Sequence, residues 1–451
     1  MRTTQTVSES FPVGLHHAFW FSAFNALSFQ IILGSPMVLY AKSLGASATV
    51  LGIVAGMMPL LVIFQIPAAS HISRIGFKRF VYAGWGARVM FIFALAVVPL
   101  TARFLDDSNR LAVLLGLLFC FNLSRGISSC AWLPWITALV PETLRGKYLA
   151  RDAATQSLAS CGAFLVSALS LRGEAQPWQF AVLFAFSAVM GAISLSFLKR
   201  IPDVPIPVEA AAGTGRVPWL EMARYAPFHK LLRTIIAWAV AYGGLVAFTT
   251  AFLKVKAGMP DSEIMLVSAL SYLGGLSSLW FLGSRLDRLG SKPVMKFSFA
   301  GWIVVLLGWM LLAGKVFPAN LATVLPLQFL MGLLVALVNM ATTRLAMAVV
   351  PAMGRNHFFA LFSVLTNVTL GLAPVGWGLL IDAVGAHEWR ALGVDWNRFT
   401  IFYAAAAVVF ALTLWLARSL EEPKAASLEQ LLRDILGSSP LRFWLRLWPR
   451  G

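Results

Sequence analysis

Arg125 stands in the middle of a long apolar run, three residues after Asn122 and next to Ser124. A guanidinium offers a planar, permanently charged fork of donors that matches a carboxylate or a phosphate. In hydrocarbon such a group costs about 3 kcal/mol or more, so it must face a cavity or a polar partner. Two readings stay open: a residue that holds an anionic group, or a structural arginine bonded to carbonyls and neighbouring hydroxyls. Arg88, inside another apolar run, is expected to be structural or to snorkel. Arg344, about two turns from the end of a third run, is expected to snorkel or to close the mouth of a cavity.

Amides, hydroxyls and aromatic rings recur in the same runs. Asn25, Ser28, Gln30, Gln65, Trp238, Tyr242, Thr249, Thr250, Gln328, Asn339, Thr342, Thr343, Thr366 and Asn367 all lie in apolar surroundings. The binding set taken from them is Asn25, Gln30, Asn122, Arg125, Trp238, Tyr242 and Asn339. Such groups serve equally well as glue between helices. Acids are confined to loops, the linker, the tail and the ends of the runs, as with Asp152, Glu263, Asp287 and Asp382. That argues against a conventional proton-driven exchanger of cations, which uses a buried carboxylate. A phosphate loop and a converging nucleophile, base and acid are both missing, so neither ATP-driven work nor enzyme chemistry is expected. Cys120, Cys130 and Cys161 lie inside apolar runs and fit neither a disulfide framework nor a zinc site. No metal or cofactor is expected.

The elements that carry these groups follow from composition. The 451 residues are 59% hydrophobic and 12% charged, against about 25% charged in soluble domains. A helix needs about 20 apolar residues to cross a bilayer, and only helices or closed barrels satisfy the backbone there. The runs are continuous rather than alternating, so an all-α membrane protein is expected. Twelve spans can be drawn, at about 15–41, 47–72, 77–101, 110–140, 147–171, 177–199, 229–256, 262–286, 293–315, 319–350, 356–383 and 398–418. The first has no small-residue cleavage site and reads as a span, not a signal peptide.

The net charge of +17 is concentrated in alternate gaps: Arg74, Lys78 and Arg79; Arg145, Lys147 and Arg151; 199–233; Arg285 to Lys296; and the tail. This is the positive-inside pattern, which puts both termini in the cytoplasm and excludes nucleic acid as the partner. In the tail, Leu428, Leu431, Leu432, Ile435 and Leu436 recur at helical spacing, followed by Arg442, Phe443, Trp444, Arg446, Trp448 and Arg450. It is expected to lie on anionic lipid, or else to be a floppy tail.

Two short motifs recur, once per half. GSRLDRLGSK at 283–292 parallels ASHISRIGFK at 69–78, pairing Gly290 with Gly76, Arg288 with Arg74 and Lys292 with Lys78. VPETLRGKYLA at 140–150 parallels VPAMGRNHFFA at 350–360, pairing Arg145 with Arg355. The expected architecture is two six-helix halves, 1–200 and 229–418, with a linker at 201–228 and a tail at 419–451. An axis along the membrane normal relates the halves.

On these motifs the chain resembles the major facilitator superfamily. The copy at 283–292 fits the family hallmark through Gly283, Asp287, Arg288, Gly290 and Lys292; the first copy has Ala69 and Ser73 where the family has glycine and aspartate. The resemblance implies gating roles for Ser73, Arg74, Gly76, Lys78, Arg145, Gly283, Asp287, Arg288, Gly290, Lys292 and Arg355. Their alternative role is simply to turn loops and obey topology. It also implies that spans one, four, seven and ten line a central cavity. Arg125 is similar to the family's span-four arginine, although the rest of that motif is absent. The stretch at 128–152 resembles a bacterial subgroup mostly without assigned substrates. The implied protein is a monomeric secondary transporter of the bacterial inner membrane, working by alternating access on a small organic solute, anionic or amphiphilic. The alternative is a non-transporting assembly or delivery factor for a pigment or other hydrophobic cofactor, as in light-harvesting assembly. A channel is disfavoured, since no filter or charge ring appears.

Moving the acid between the motif copies tests the gating roles. Ser73→Asp combined with Asp287→Ala is expected to change the solute exchange rate and the balance of states read by cysteine accessibility. No change in either would leave these residues as loop turns.

Overall fold

Helix-capping residues at several loops, rather than any strand pattern, mark where elements begin. The computed structural model describes residues 11–141, 144–204, 225–282, 290–349 and 355–422. Eleven helices among the described residues are long and apolar enough to span: His16–Ser43, Ala48–Ala69, Phe77–Arg103, Asp107–Leu139, Tyr148–Ser170, Pro177–Leu198, Ala226–Val255, Ser291–Ala313, Leu321–Val349, Leu361–Val384 and Arg398–Ala417. The helix Asp261–Leu282 packs among them and completes the twelve, as span eight. Spans are numbered in chain order below.

Side chains satisfy the free amides at several starts. Ser47 accepts from Val50 N before span two, and Asp106 from Asn109 N before span four. Gln176 and Gln179 form a capping box before span six. Asn397 accepts from both Phe399 N and Thr400 N before span twelve. Gly76 and Gly290 precede spans three and nine with φ of 89° and 86°. That conformation is open to glycine at little steric cost, and its recurrence shows the same turn in both halves.

Two spans are broken at corresponding places, which the apolar pattern did not reveal. Span one divides into His16–Leu33 and Ser35–Ser43 around Gly34, and span seven into Ala226–Tyr242 and Leu245–Val255 around Gly243 and Gly244. A further departure is a hairpin between spans eleven and twelve. Strand β1, Trp389–Ala391, pairs antiparallel with β2, Val394–Trp396, and the Trp389 and Trp396 rings stack 6.3 Å apart.

Within the first half, span one packs on spans five and six, and span three on four and six; within the second, span eight packs on ten and span nine on ten and twelve. The halves meet chiefly through span two against eleven and span five against eight. Small residues allow the closest approach. A Cβ added at Gly52 would sit 2.3 Å from Pro374 O, and one at Gly56 would sit 2.2 Å from Gly371 O. Aromatic stacking fills the second half, with Trp302 on Phe410 at 5.2 Å and Trp309 on Tyr403 at 5.9 Å. Large apolar side chains such as Met90, Val304 and Val408 face outward, as lipid contact requires.

The first and last described residues, with those flanking 205–224, lie at one end of the bundle: Gly14 stands against Pro202, and Lys230 pairs with Glu421. Just past span twelve, Glu422 accepts from Ser291 N at 2.9 Å, Lys292 N at 2.7 Å and Arg344 Nη1 at 3.1 Å. Lys292 Nζ donates to Leu420 O at 2.6 Å. Glu422 thus caps span nine with a full charge at the positive end of its dipole. Arg344 does reach toward this end, but onto a carboxylate. Of the tail, only residues up to 422 are described, so its expected lipid-facing helix lies outside them.

Glu422→Ala strands the Ser291 and Lys292 amides and takes the carboxylate away from Arg344. It is expected to cost about 1–3 kcal/mol, read as a lower unfolding temperature of the purified protein, with Glu422→Gln retaining part of the loss.

Candidate functional site

The interior of the first half is built from spans one, three and four. Trp85 Nε1 donates to Asn25 Oδ1 at 3.2 Å. The Arg88 guanidinium lies 4.8 Å from the centre of the Trp85 ring and 5.1 Å from that of Phe121. Phe21 packs on Trp132 at 4.9 Å and on Trp85 at 5.9 Å. Span four is drawn close to its neighbours: Ser124 donates to Gly84 O at 3.0 Å, and a Cβ on Gly126 would stand 2.0 Å from Leu61 O. Arg125 is half-buried between these contacts. Among the described residues it has neither a hydrogen bond nor an ion pair. Asn122 donates to Leu118 O at 2.9 Å, while its Oδ1 is buried without a partner.

In the second half Trp238 and Tyr242 stack at 5.1 Å and 7°, with Tyr242 edge-on to Trp302 at 5.8 Å. Trp238 Nε1 and Gln328 Oε1 are buried and unpartnered. Asn339 is on an exposed face of span ten. Gln30 belongs to the meeting of the halves: Tyr272 Oη donates to its Oε1 at 2.7 Å, and Tyr272 stacks on Phe164 at 5.4 Å. Asn25, Asn122 and Arg125 therefore share one half, Trp238, Tyr242 and Asn339 the other, and only Gln30 bridges by hydrogen bonding among the described residues. Tyr272 was missed by sequence reasoning; its only signal was a phenol inside an apolar run.

Polar closure is concentrated at the end away from the termini. Asp382, at the end of span eleven, accepts from Ala48 N at 3.0 Å, Thr49 N at 2.7 Å and Thr49 Oγ1 at 2.7 Å. It caps span two across the boundary between halves. Ser35 meets Thr250 at 3.1 Å and Ser268 at 2.8 Å, joining the outer segments of spans one and seven to span eight. Lys42, Asp382 and Arg398 line a cavity of about 250 Å³ beside these contacts. Nearby, Lys256 donates to Glu388 at 2.5 Å, and that hydrogen bond holds the exposed carboxyl below its usual range. Among the described residues, every hydrogen bond joining the halves lies between Gln30 and this end.

The motif residues are at the termini end. Ser73 is exposed and donates back to Ser70 O at 3.4 Å. Arg74 is exposed, Lys78 is half-buried and Gly76 makes the turn. Arg145 donates to Thr137 O at 3.1 Å and Val140 O at 3.3 Å, within its own half. Gly290 repeats the turn, and Lys292 is engaged with Glu422 and Leu420. Gly283, Asp287 and Arg288, with the side chain of Arg355, lie outside the described residues.

The family model described as Major Facilitator Superfamily matches residues 18–312 and 252–449. The chain belongs to this superfamily. No functionally curated protein matches it in sequence. Among solved structures, a D-xylose-proton symporter aligns with TM-score 0.70 at 14% identity, covering 90% of this chain and 98% of that one. The inward-open xylose transporter XylE from E. coli gives 0.68 at 14%, covering 93% and 99%. The nucleoside transporter NupG gives 0.64 at 13%, covering 90% and 97%. At these identities the likeness is one of fold. The chain is thus a multi-pass membrane protein of a transporter superfamily, not an enzyme.

Asp382→Asn removes the charge from the cap on span two. It is expected to loosen the far end, seen as several-fold faster thiol labelling of an Ala251→Cys reporter, which is buried beside that contact.

Proposed function

We propose that the chain is a secondary transporter that carries a small organic solute, anionic or amphiphilic, by alternating access. The observation that carries this reading is the one-ended closure. Among the described residues, polar bonds between the halves run from Gln30–Tyr272 outward to Asp382, a hinge-side closure about which two halves can rock. The positive-inside pattern assigns the termini end to the cytoplasm, so this arrangement would face inward in a bacterial inner membrane. Asn25, Gln30, Asn122, Arg125, Trp238, Tyr242 and Asn339 are the proposed solute contacts. The motif residues at 69–78 and 283–292, with Arg145 and Arg355, are the proposed cytoplasmic gate. The halves 1–200 and 229–418 are the moving bodies, joined by the linker 201–228. The tail 419–451 rests on anionic lipid, and the working unit is a monomer.

Counterflow of labelled organic acids in proteoliposomes tests this. Arg125→Gln is expected to slow exchange about tenfold or more, the loss of one charge-assisted contact. No exchange of any solute by the native chain, with co-purification of a pigment-binding partner, would instead favour the assembly role.

A further inference from the structure

Arg88 is 3% exposed, deep in span three. Its guanidinium has only two ring faces, Trp85 and Phe121, and its Nε is without a partner. Desolvated cation–π contacts are worth about 2 kcal/mol, whereas burying an ion costs several kcal/mol even after relaxation. Arg125 follows Phe121 by one helical turn, on the same face of span four. Among the described residues neither has a hydrogen bond or a carboxylate partner. Two acids of the same half are engaged elsewhere: Asp152 accepts from Ser22 and Gln156, and Asp107 pairs with Arg110. Among the described residues, a buried and a half-buried cation thus stand near one ring, Phe121, with no countercharge.

We infer that Arg88 and Arg125 together form the receptor for an oxyanion, a carboxylate or phosphate, on a solute with an apolar or planar body. This rests on the transport reading above and gives it a substrate class. The anion supplies the missing countercharge to both guanidinium forks. Trp85, Phe121, Phe21 and Trp132 form an apolar wall beside it. The orphaned Asn122 Oδ1, one turn before Arg125 on span four, accepts a hydrogen bond from a donor elsewhere on the solute. Arg88 thereby becomes a binding residue rather than a snorkelling one.

Equilibrium binding to the full chain in phosphatidylcholine nanodiscs tests the inference without requiring flux. The probes are benzoate and phenyl phosphate, with benzamide as the neutral control, read by tryptophan fluorescence and thermal protection. The expected result is saturable binding of at least one anion and none of benzamide. Arg88→Lys and Arg125→Lys keep the charge but lose the fork. Each is expected to weaken binding about tenfold, while Lys315→Gln on the surface leaves it unchanged. If Arg88→Lys does not fold, Arg125→Lys and the anion-versus-amide comparison still decide. Competition by added phosphatidylglycerol would assign the same receptor to a lipid headgroup rather than to a free solute. Equal binding of benzamide, no binding of either anion, or unchanged affinity in the folded lysine variants would overturn the inference. Anion binding with no counterflow would count against transport alone. Counterflow of neutral solutes indifferent to both arginines would count against the receptor alone.

Discussion

Hydrocarbon offers no partner for a polar group, and most of this architecture follows from that constraint. The backbone closes on itself in helices, and the free helix ends are met by side chains. Asp106, Asn397 and Glu422 each place an oxygen where amides would otherwise be bare. The hydroxyls of Ser128, Ser160, Ser167 and Thr413 turn back to carbonyls of their own helices. Against that background of satisfied groups the unsatisfied ones stand out. Among the described residues, Arg88 Nε, the Asn122 oxygen, Gln328 Oε1 and the indoles of Trp238 and Trp302 are among the buried groups that find no partner.

The same constraint shapes the contact between halves. Lipid gives no hydrophobic drive for helix association, so the boundary depends on close packing and directional bonds. Glycines bring span two against span eleven until backbone nearly meets backbone. Asp382 and Ser35 add bonds whose geometry is lost after a small displacement. An interface of this kind is either made or broken, which suits two discrete arrangements of rigid halves.

Much of the fold was legible in the sequence because run length and loop charge are strong signals. Twelve helices stand close to where the apolar runs put them, and Gly76 and Gly290 make the same turn in both halves. The breaks at Gly34 and Gly244 were not legible: a glycine in an apolar run reads the same whether the helix passes through it or stops. Nor was the 389–396 hairpin, whose strands are three residues each. For the site, the sequence identified polar residues but not their partners. Gln30 was named, but Tyr272, which meets it from 242 positions away, was not. Arg88 was expected to be structural or to snorkel; it is buried over Trp85 and Phe121, a facing set by helix rotation, which composition does not encode.

The two halves are not equally stiff at the termini end. In the second, Glu422 ties the chain after span twelve to the start of span nine and to Arg344 on span ten. The equivalent acid after span six is Asp203, and among the described residues it bonds only to its neighbour Val204 N. The start of span three accordingly has Lys78 and Arg79 near its amides, where span nine has a carboxylate. The loop before span three also has Ser73 where the other copy has Asp287. At this end, then, an acid caps the start of span nine while bases stand at the start of span three. The first half, which holds Arg88 and Arg125, has no such carboxylate cap at its corresponding helix start among the described residues.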